Sequence, residues 1–488
     1  MILRLEISRN NYICISPIGY MEKWVQSILD EERKKRKRPL EVKTLNGNPY
    51  LYASTTRWDK TEKKVKKVTE YIGRITKQGV VERDTNVQLR SVYEYGNAYL
   101  LQQLSKEIQS PLEAAFPFRW KEILATAIVK TIRPLPLRLV KSAWEKLETS
   151  LEINAALSPN TLSETLHEVG ASYTSQKQFF DSIMNDSHML AFDLSSIFSE
   201  SKSLGFAERG YNPDHVFLNQ INFMMFFSID KQLPAMLRPL HGSIRDIKAI
   251  KDVLQDVNIS NATVVLDRGF ASYGMPSLLA SKNFNFILPL KRDFSTIRYD
   301  EPMKQSFTYR ERGIKWTKWQ QGKYYMYLFE DVKMRAEEDT TFIRLMEQKK
   351  KTTHDYEQAS KRFGMIAILS NLDAPGEKVY EMFKSREDVE TCFDALKNEL
   401  ENDKTYLRDD DAVRGYFFVS FISLYLYYKV LNLLRKNELN DKVSVNEALM
   451  ELSKIYTIHN GKKRMLSAIP KKVETLVKVL GININPKP

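Results

Sequence analysis

The spacing of apolar residues changes along the chain and separates helical from strand-rich stretches. From about residue 91 to 185 apolar positions recur with the period of an α-helix, and Ser158-Pro159 predicts one helix start, because serine caps helices and proline suits their first turn. From 188 to 291 short apolar runs alternate with helical ones. Strands are predicted in HMLAFDLSS, INFMMFFSID, LPAMLRPLHG, ATVVLDRGF and FNFILPL, and helices in SIRDIKAIKDVLQDV and YGMPSLLASK. Three strands followed by βαβ units predict an α/β fold with a mixed sheet covered by helices.

A second strand-rich stretch follows from about 292 to 372. FTYRER, IKWTKWQ and KYYMYLFED predict an antiparallel meander, a charged helix follows, and GMIAILSN predicts a return strand. This change of rhythm indicates a β-rich insertion into the preceding fold. Closer to the N-terminus, PYLYASTTRWD and KKVKKVTEYIGRI predict a hairpin with basic residues alternating along its second strand.

Positive charge is concentrated near the N-terminus. The chain of 488 residues carries a formal net charge of +13 and is 43% hydrophobic, which indicates a globular protein with a polyanionic partner, nucleic acid before a membrane surface. Residues 31 to 84 hold sixteen Lys or Arg and eight Asp or Glu, a net of +8. A cationic hairpin would follow DNA phosphates without reading bases. The run EERKKRKR, taken alone, fits the solvated end of a helix equally well.

Cysteine and histidine give no sign of a disulfide framework or a zinc site. The two cysteines are Cys14 and Cys392, and the six histidines share no metal-ligand spacing with a cysteine or with one another. The start MILRLEISRNNYICI lacks the features of a signal peptide. Polar residues, Lys429 and Asn432 among them, interrupt the apolar run 417–434 and favour a buried helix over a membrane span. We therefore expect a cytoplasmic protein without a membrane partner.

The segment FKSREDVETCFDALKNEL, residues 383–400, predicts one amphipathic helix, because it lacks Gly and Pro and places its apolar residues on a single arc. At the border of that arc Arg386, Glu390 and Lys397 line up within about 40° of one another. Taken alone, an Arg and a Glu four residues apart form a surface pair worth a few tenths of a kcal/mol. A carboxylate held by packing at the edge of a buried face would also suit a metal ligand.

Two further carboxylates, Asp193 and Asp267, each follow an apolar run at the predicted end of a strand. A single acid there is an ordinary solubility feature, but strand ends of open α/β sheets are also where catalytic groups gather. Together with Glu390 they predict three converging carboxylates, a set that favours a hard cation, Mg²⁺ with Mn²⁺ as the alternative ion. Two such ions support phosphoryl displacement without a covalent protein nucleophile. Arg386 and Lys397 would then contact phosphates on either side of the scissile bond.

Taken together, these motifs resemble the DDE transposases of bacterial insertion sequences, the type-4 superfamily. The motifs that carry the resemblance are AFDLSS at Asp193, VVLDRGF at Asp267, and the signature Tyr-x2-Arg-x3-Glu-x6-Lys, here Phe383, Arg386, Glu390 and Lys397. The separation of 123 residues from Asp267 to Glu390 leaves room for the β-rich insertion of that family. Phe383 replaces the signature tyrosine, so the hydroxyl that the family offers to a phosphate is missing. Tyr380 lies about 60° further round the predicted helix and is not a substitute.

The resemblance implies a ribonuclease H-like fold, catalysis by Asp193, Asp267 and Glu390, and a homodimer on double-stranded DNA. That DNA would be the transposon ends and the target. In relatives with the insertion, an aromatic residue stacks on a flipped base, a role that the resemblance gives to Trp316 or Trp319. The two lie three positions apart on a predicted strand and would point to opposite faces. A core tryptophan is the alternative interpretation for either one.

The predicted function is a metal-dependent DNA transposase, associated with the nucleoid, that cleaves insertion-sequence ends and joins them to target DNA. Two alternatives stay open, a ribonuclease H-like nuclease without strand transfer and a catalytically silent DNA-binding protein derived from a transposase.

The predicted domains, in chain order, are a basic β-rich DNA-binding module (1–90), a helical module that is a scaffold or a second DNA-binding element (91–185), the first part of the ribonuclease H-like core (186–291), the β-rich insertion (292–372), the completion of the core (373–440) and a C-terminal helical segment that is a candidate for dimerisation (441–488).

Overall fold

The computed structural model describes residues 22–59, 64–82, 90–199, 201, 203–210, 218–244, 251, 262–402, 407–460 and 463–484. The chain divides into two compact units, residues 1–91 with 459–463, and residues 92–458 with 464–488. Cys14 and most of the helix predicted in SIRDIKAIKDVLQDV lie outside the described residues.

The first unit is a four-stranded antiparallel sheet with one helix packed on it. In sheet order its strands follow helix α1 (Lys23–Arg36) as β1 (Leu40–Leu45), β2 (Asn48–Asp59), β3 (Lys64–Thr76) and β4 (Gly79–Glu82). Val25 and Leu29 of α1 are buried against Leu40, Leu51 and Ile72 of the sheet. The predicted hairpin is confirmed as β2 and β3, while β1 and β4 were not predicted. Most of the run EERKKRKR lies in the last turns of α1.

The second unit begins with helices, and the helical periodicity predicted from about 91 to 185 is confirmed. Strand β5 (Arg90–Glu94) precedes α2 (Gly96–Ala115), α3 (Trp120–Ile132), α4 (Leu137–Trp144), α5 (Pro159–Ala171) and α6 (Tyr173–Met184). The predicted start of α5 is confirmed, because Ser158 Oγ accepts a hydrogen bond from the backbone amide of Thr161 at 3.2 Å. Helix α6 was not predicted as a separate element.

A ten-stranded mixed sheet forms the centre of this unit and confirms the predicted α/β class. Its strands are β6 (Met189–Phe198), β7 (Glu208–Arg209), β8 (Asn219–Ser228), β9 (Leu233–His241), β10 (Thr263–Val265), β11 (Asn285–Pro289), β12 (Gln305–Tyr309), β13 (Arg312–Gln321), β14 (Tyr324–Asp331) and β15 (Met365–Ser370). The order is β12-β13-β14-β15-β11-β10-β6-β8-β7, with β9 also paired to β8. Strands β6, β8 and β9 are antiparallel, whereas β10 runs parallel to both β6 and β11.

The meander predicted as an insertion continues this central sheet. Strands β12, β13 and β14 pair in antiparallel order, and β15 pairs with β14 on one side and with β11 on the other. Helices α8 (Val332–Glu347) and α9 (Thr353–Ser360) connect β14 to β15. Because main-chain hydrogen bonds of β15 join the two halves, the meander is an extension of the same layer.

The remaining elements include the helix that was predicted to be buried. They are α7 (Met275–Ser281), α10 (Gly376–Lys384), α11 (Glu387–Asp394), a π-helical turn (Ala395–Glu399), α12 (Asp410–Lys436), α13 (Val445–Leu452), β16 (Tyr456–Asn460), β17 (Lys463–Leu466), α14 (Lys471–Val479) and two short 3₁₀ turns (Glu148–Leu151 and Arg268–Phe270). Helix α12 is long and apolar enough to cross a membrane, yet 72% of its most apolar window is buried inside the protein. Its close packing on α5 requires glycine, since a Cβ on Gly415 would lie 1.9 Å from the carbonyl oxygen of Leu166.

Candidate active site

The register of two parallel strands brings Asp193 and Asp267 side by side. Val265, the last residue of β10, pairs with Ala191 of β6, so each acid lies two residues beyond the same paired position. Asp267 follows the end of its strand, as predicted. The prediction that Asp193 ends its strand is wrong. Strand β6 continues to Phe198, because its other edge stays paired with β8.

The third acid is carried by a helix that differs from the predicted one. The segment 383–400 is not one continuous helix: α10 ends at Lys384, α11 begins at Glu387, and a π-helical turn follows from Ala395. At the break Ser385 Oγ donates to the Met382 carbonyl at 2.7 Å, a local bond that competes with helix propagation. The backbone of Ser385 and Arg386 stays in the right-handed helical region, so the break interrupts the helical hydrogen-bond pattern just before Glu390.

The predicted apolar arc of α11 is confirmed. Val389, Cys392 and Phe393 are buried, and the helix packs on β6 and β8. This packing fixes the position of Glu390 relative to β6, which carries Asp193. The side chain of Glu390 itself remains 51% exposed. The packed helix therefore fixes its backbone, while its carboxylate stays accessible to a substrate.

All three carboxylates converge on the guanidinium group of Arg386. The distances are 2.7 Å from Nη2 to Glu390 Oε1, 3.5 Å from Nη2 to Asp267 Oδ1, and 3.8 Å from Nη1 to Asp193 Oδ2. The guanidinium is largely buried, so its attraction to the three acids is screened less than in water. The tertiary structure therefore assembles the predicted acids around one internal cation.

Burial perturbs the ionisation of Asp193. Loss of hydration raises the pKa of its carboxyl to about 7, and the negative charges of Asp267 and Glu390 act in the same direction. A hydrogen bond from the Leu194 amide, at 2.9 Å, and the charge of Arg386 oppose this increase. A buried carboxylate of this kind is costly unless a cation lies beside it.

The donor set suits a divalent metal ion. Asp267 Oδ2 accepts the Gly269 amide at 3.3 Å and caps the short turn Arg268–Phe270, which leaves Oδ1 on the side of the other acids. Three carboxylates with only oxygen donors match the preferences of Mg²⁺ and Mn²⁺. The charge of three acids exceeds the single charge of Arg386, so the group can accept further positive charge.

Lys397 reaches the strand that carries Asp193. Its Nζ donates to Ser195 Oγ at 2.7 Å, and Ser195 lies two residues after Asp193 on the same face of β6. Lys397 stands on the π-helical turn, so its predicted alignment with Arg386 along a regular helix does not apply. Ser195 was not among the predicted site residues, although its spacing from Asp193 in AFDLSS was a usable signal.

The two tryptophans point to opposite faces of β13, as predicted. Trp316 is 7% exposed and packs so closely on Gly376 that a Cβ there would lie 2.2 Å from its indole ring. Trp316 is therefore a core residue, and its predicted stacking on a flipped base does not fit this position. Trp319 is half-buried, with the Arg298 guanidinium 5.9 Å from its ring.

Phe383, at the signature tyrosine position, has no hydroxyl, and the hydroxyl of nearby Tyr380 is not accessible. Phe383 packs partly buried beside Tyr380, with ring centroids 6.2 Å apart. Tyr380 is fully buried. It therefore does not replace the missing tyrosine, in agreement with the prediction.

A second group of candidate metal ligands lies apart from the predicted acids in sequence. Ligand atoms of His167, Asp409 and Asp411 lie within 4.8 Å of one another. Both carboxylates have local partners, since Asp409 accepts the Ala412 amide at the start of α12 and Asp411 pairs with Arg414. Because His167 is distant in sequence from Asp409 and Asp411, no local spacing could have predicted this group.

Residues 186–426 match the family model of the transposase DDE domain. The chain carries a transposase DDE domain. The matched range contains Asp193, Asp267 and Glu390, the three acids around Arg386. The protein is thus a DNA transposase of the DDE class, an enzyme class that works with divalent metal ions.

Two further comparisons add little to this assignment. A search of curated protein sequences gave no match. Among solved structures, a cryo-EM structure of a piggyBac transposase synaptic complex with hairpin DNA is similar over 80% of this chain and 86% of that chain, with 12% identity and a TM-score of 0.40. At this level of similarity, no residue role is carried over from that transposase to this protein.

Proposed function

We propose that this transposase cuts DNA at the ends of a bacterial insertion sequence and joins the freed 3′-hydroxyls to target DNA, with Asp193, Asp267 and Glu390 as metal ligands. The observation that carries the proposal is the convergence of the three carboxylates on Arg386, at 3.8, 3.5 and 2.7 Å. Acids that are 74 and 123 residues apart in the chain come together only through the register of β6 and β10 and the packing of α11.

The proposed ligands differ in rigidity in a way that suits a DNA substrate. Asp193 is fixed within β6, Asp267 is fixed as the cap of a short turn, and Glu390 extends from a packed helix toward solvent. Mg²⁺, with Mn²⁺ as the alternative ion, would activate a water or a 3′-hydroxyl and stabilise the leaving oxygen. The protein would supply no covalent nucleophile. Its acids would hold the reacting centre in place, and its cations would hold the DNA.

Arg386 and Lys397 are the cations that we assign to the phosphates beside the scissile bond. Arg386 lies among the acids, and Lys397 lies at Ser195 on the same strand as Asp193. A planar guanidinium can bind a phosphate through two parallel hydrogen bonds. Of the two tryptophans, half-buried Trp319 remains the candidate for stacking on a flipped base.

The strand order supports a ribonuclease H-like core for this domain. Within the central sheet, β9-β8-β6-β10-β11 places three antiparallel strands beside two strands that continue in parallel. We further propose a homodimer that holds two transposon ends and a target duplex, with residues 441–488 as a candidate contact between copies. The protein would act in the cytoplasm, on the nucleoid.

Substitution of one acid tests the chemistry directly. We expect Glu390→Gln to reduce Mg²⁺-dependent cleavage by about 100-fold or more, since even the outer-shell partners of metal ligands are worth 10–100-fold. The substrate is plasmid DNA carrying the sequences that flank the gene, where inverted repeats would mark the ends of the element. Because Glu390 is half exposed, the variant should fold normally, which circular dichroism would verify.

A matched control is Glu377→Gln, which removes an exposed carboxylate from α10. This control should cleave like the unchanged protein. Undiminished cleavage by Glu390→Gln would remove Glu390 from the mechanism. Joined products on a gel would separate a transposase from a nuclease that only cuts, and DNA binding without any metal-dependent cutting would favour a silent DNA-binding protein.

A further inference from the structure

Strands β2 and β3 extend beyond the sheet to which they belong. Strand β1 pairs with β2 only over Asn48–Ala53, and β4 pairs with β3 only over Gly73–Thr76. Among the residues that the structure describes, Ser54–Asp59 and Lys64–Thr69 are therefore paired as strands only with each other, while the Ser54 amide also donates to the Pro39 carbonyl at 3.1 Å. We call these two segments the ribbon. An isolated two-stranded ribbon is marginally stable in water, so we expect a binding partner to stabilise it.

One face of the ribbon carries exposed apolar side chains. Trp58 and Val65 form a cross-strand pair and are 57% and 62% exposed. They lie far from the small core that Val25 and Leu29 of α1 form with the sheet, since that core ends at Ala53 of β2. Large apolar residues that project together into solvent typically mark an interaction site.

The other residues of the ribbon make it strongly cationic. Its described segments contain four basic residues and one acid, namely Arg57, Lys64, Lys66, Lys67 and Asp59. Lys66 pairs with Asp59 at 2.8 Å, and Lys67 pairs with Glu41 of β1. Both lysines are exposed and the two acids are about a quarter exposed, so solvent screens the pairs and the lysines can exchange to another anion.

We infer that the ribbon is an arm that enters a groove of duplex DNA. The inference rests on the proposed function, which supplies the DNA. Two strands lie about 5 Å apart, and a two-stranded ribbon fits the major groove, which is about 12 Å wide. The basic residues would neutralise phosphates on the groove walls, while Trp58 and Val65 would contact the floor of the groove.

Charge complementarity selects DNA over a second copy of the chain as the occupant. Two copies meeting through their ribbons would bring like charges together, since each ribbon carries an excess of three positive charges. A polyanion removes that repulsion and releases counterions.

The first experiment removes the charge of the ribbon in the full-length protein. Arg57→Gln, Lys64→Gln, Lys66→Gln and Lys67→Gln are combined, and binding to a fluorescein-labelled 40-base-pair duplex is followed by anisotropy over a series of KCl concentrations. We expect weaker binding and a slope of log K against log salt that is smaller by about 3 to 4, roughly one for each lost phosphate contact.

A control variant loses the same charge elsewhere. Four exposed lysines in and around α8 and α9 are replaced with glutamine, namely Lys349, Lys350, Lys351 and Lys361. The control should change the salt slope much less than the ribbon variant. Equal changes in both variants would show that only net charge matters and would overturn the inference.

A second variant, Trp58→Ala, separates DNA contact from contact between copies. We expect weaker DNA binding with an unchanged sedimentation coefficient of the free protein. An altered oligomeric state with unchanged DNA binding would instead assign the apolar face to a protein interface and overturn the inference.

The experiments test the DNA-binding role of the ribbon and the catalytic role of Glu390 separately. If Glu390→Gln still cleaves DNA, the assigned chemistry is wrong, but anisotropy with the ribbon variant still reports on the arm. If Glu390→Gln is inactive while the ribbon variant binds DNA normally, the ribbon is not a DNA-binding arm, and the role of Glu390 as a metal ligand is unaffected.

Discussion

Arg386 and Glu390 form an ion pair with Nη2 and Oε1 2.7 Å apart, and the same guanidinium faces the two other acids. On a helix surface such a pair would be worth only a few tenths of a kcal/mol. Here it closes a group of three carboxylates that would otherwise repel one another. Arg386 therefore keeps the acids together when no other cation is among them.

This arrangement predicts that Arg386 competes with metal ions. In Arg386→Met we expect Mn²⁺ to bind about 10-fold more tightly, equivalent to about 1.4 kcal/mol, because an internal positive charge has been removed from the acid group. Isothermal titration calorimetry with Mn²⁺ would measure this change without any DNA. DNA cleavage should fall at the same time, since the phosphate contact is lost.

Arg310→Met is a suitable control, because Arg310 pairs with Glu387 at 3.1 Å on the exposed side of the same helix. Its affinity for Mn²⁺ should stay unchanged. Weaker Mn²⁺ binding by Arg386→Met would mean that Arg386 positions the acids more than it competes for them.

The raised pKa of Asp193 predicts a pH-dependent stability. Its pKa is about 7 in the folded protein and about 3.9 in the unfolded chain, so the folded state binds the proton more tightly. This contribution to stability is full below about pH 4 and is lost as the pH rises to 7. Asp193→Asn should therefore raise the free energy of unfolding at pH 8 by about 1–3 kcal/mol, and by less at pH 5.

Urea denaturation in EDTA at the two pH values would measure this difference. Asp394→Asn provides the control, because Asp394 is an exposed acid on α11. A stabilisation by Asp193→Asn that is the same at pH 5 and pH 8 would argue against a raised pKa.

The contact between Gly376 and Trp316 predicts a strong effect of one methyl group. In Gly376→Ala the new Cβ would lie 2.2 Å from the indole ring, closer than any real contact. Overpacking of this kind typically costs about 1–3 kcal/mol. Gly274→Ala is the control and should leave stability nearly unchanged, since a Cβ there meets nothing within 4 Å. Thermal unfolding should separate the two variants, and equal melting temperatures would contradict the packing of Trp316.

Buried Lys130 predicts a substitution that stabilises the protein. Burial lowers the pKa of its ammonium group to about 8, although Nζ still donates to the Tyr416 hydroxyl at 2.9 Å. Lys130→Met should raise the free energy of unfolding at pH 7 by about 1 kcal/mol, because an apolar side chain avoids the cost of burying a charge.

The gain should shrink between pH 8 and pH 10, where the folded protein already holds the neutral amine. Chemical denaturation at pH 7 and pH 9.5 would measure it. Lys121→Met, on the exposed side of the same helix, should show no such pH dependence. A destabilising effect of Lys130→Met at both pH values would show that the hydrogen bond to Tyr416 outweighs the cost of burial.

The sequence by itself determined the elements whose causes are local. Alternating apolar runs predicted β6, β8, β9 and β11, because side-chain periodicity depends only on the backbone conformation. The buried arc of α11 was predicted for the same reason, and the cap at Ser158 was predicted from the local preference of serine and proline for helix starts. The three acids were also found from sequence, since each stands next to an apolar run or at its border.

The tertiary structure alone decided how these elements join. Strand β15 makes the meander part of the central sheet, and continued pairing with β8 places Asp193 inside its strand. Such pairings depend on hydrogen bonds between residues far apart in the chain, which no local pattern contains. The break at Ser385 and the π-helical turn at Lys397 were missed for a related reason, because the sequence 383–400 favours a regular helix throughout.

The role of Arg386 shows the same division. Its spacing from Glu390 was evident in the sequence and suggested a surface pair or a phosphate contact. Its position among Asp193, Asp267 and Glu390 follows from the register of two strands and the packing of α11. Electrostatic interactions depend on distance in space, so the sequence could name the charged groups, and only the fold could set the energies between them.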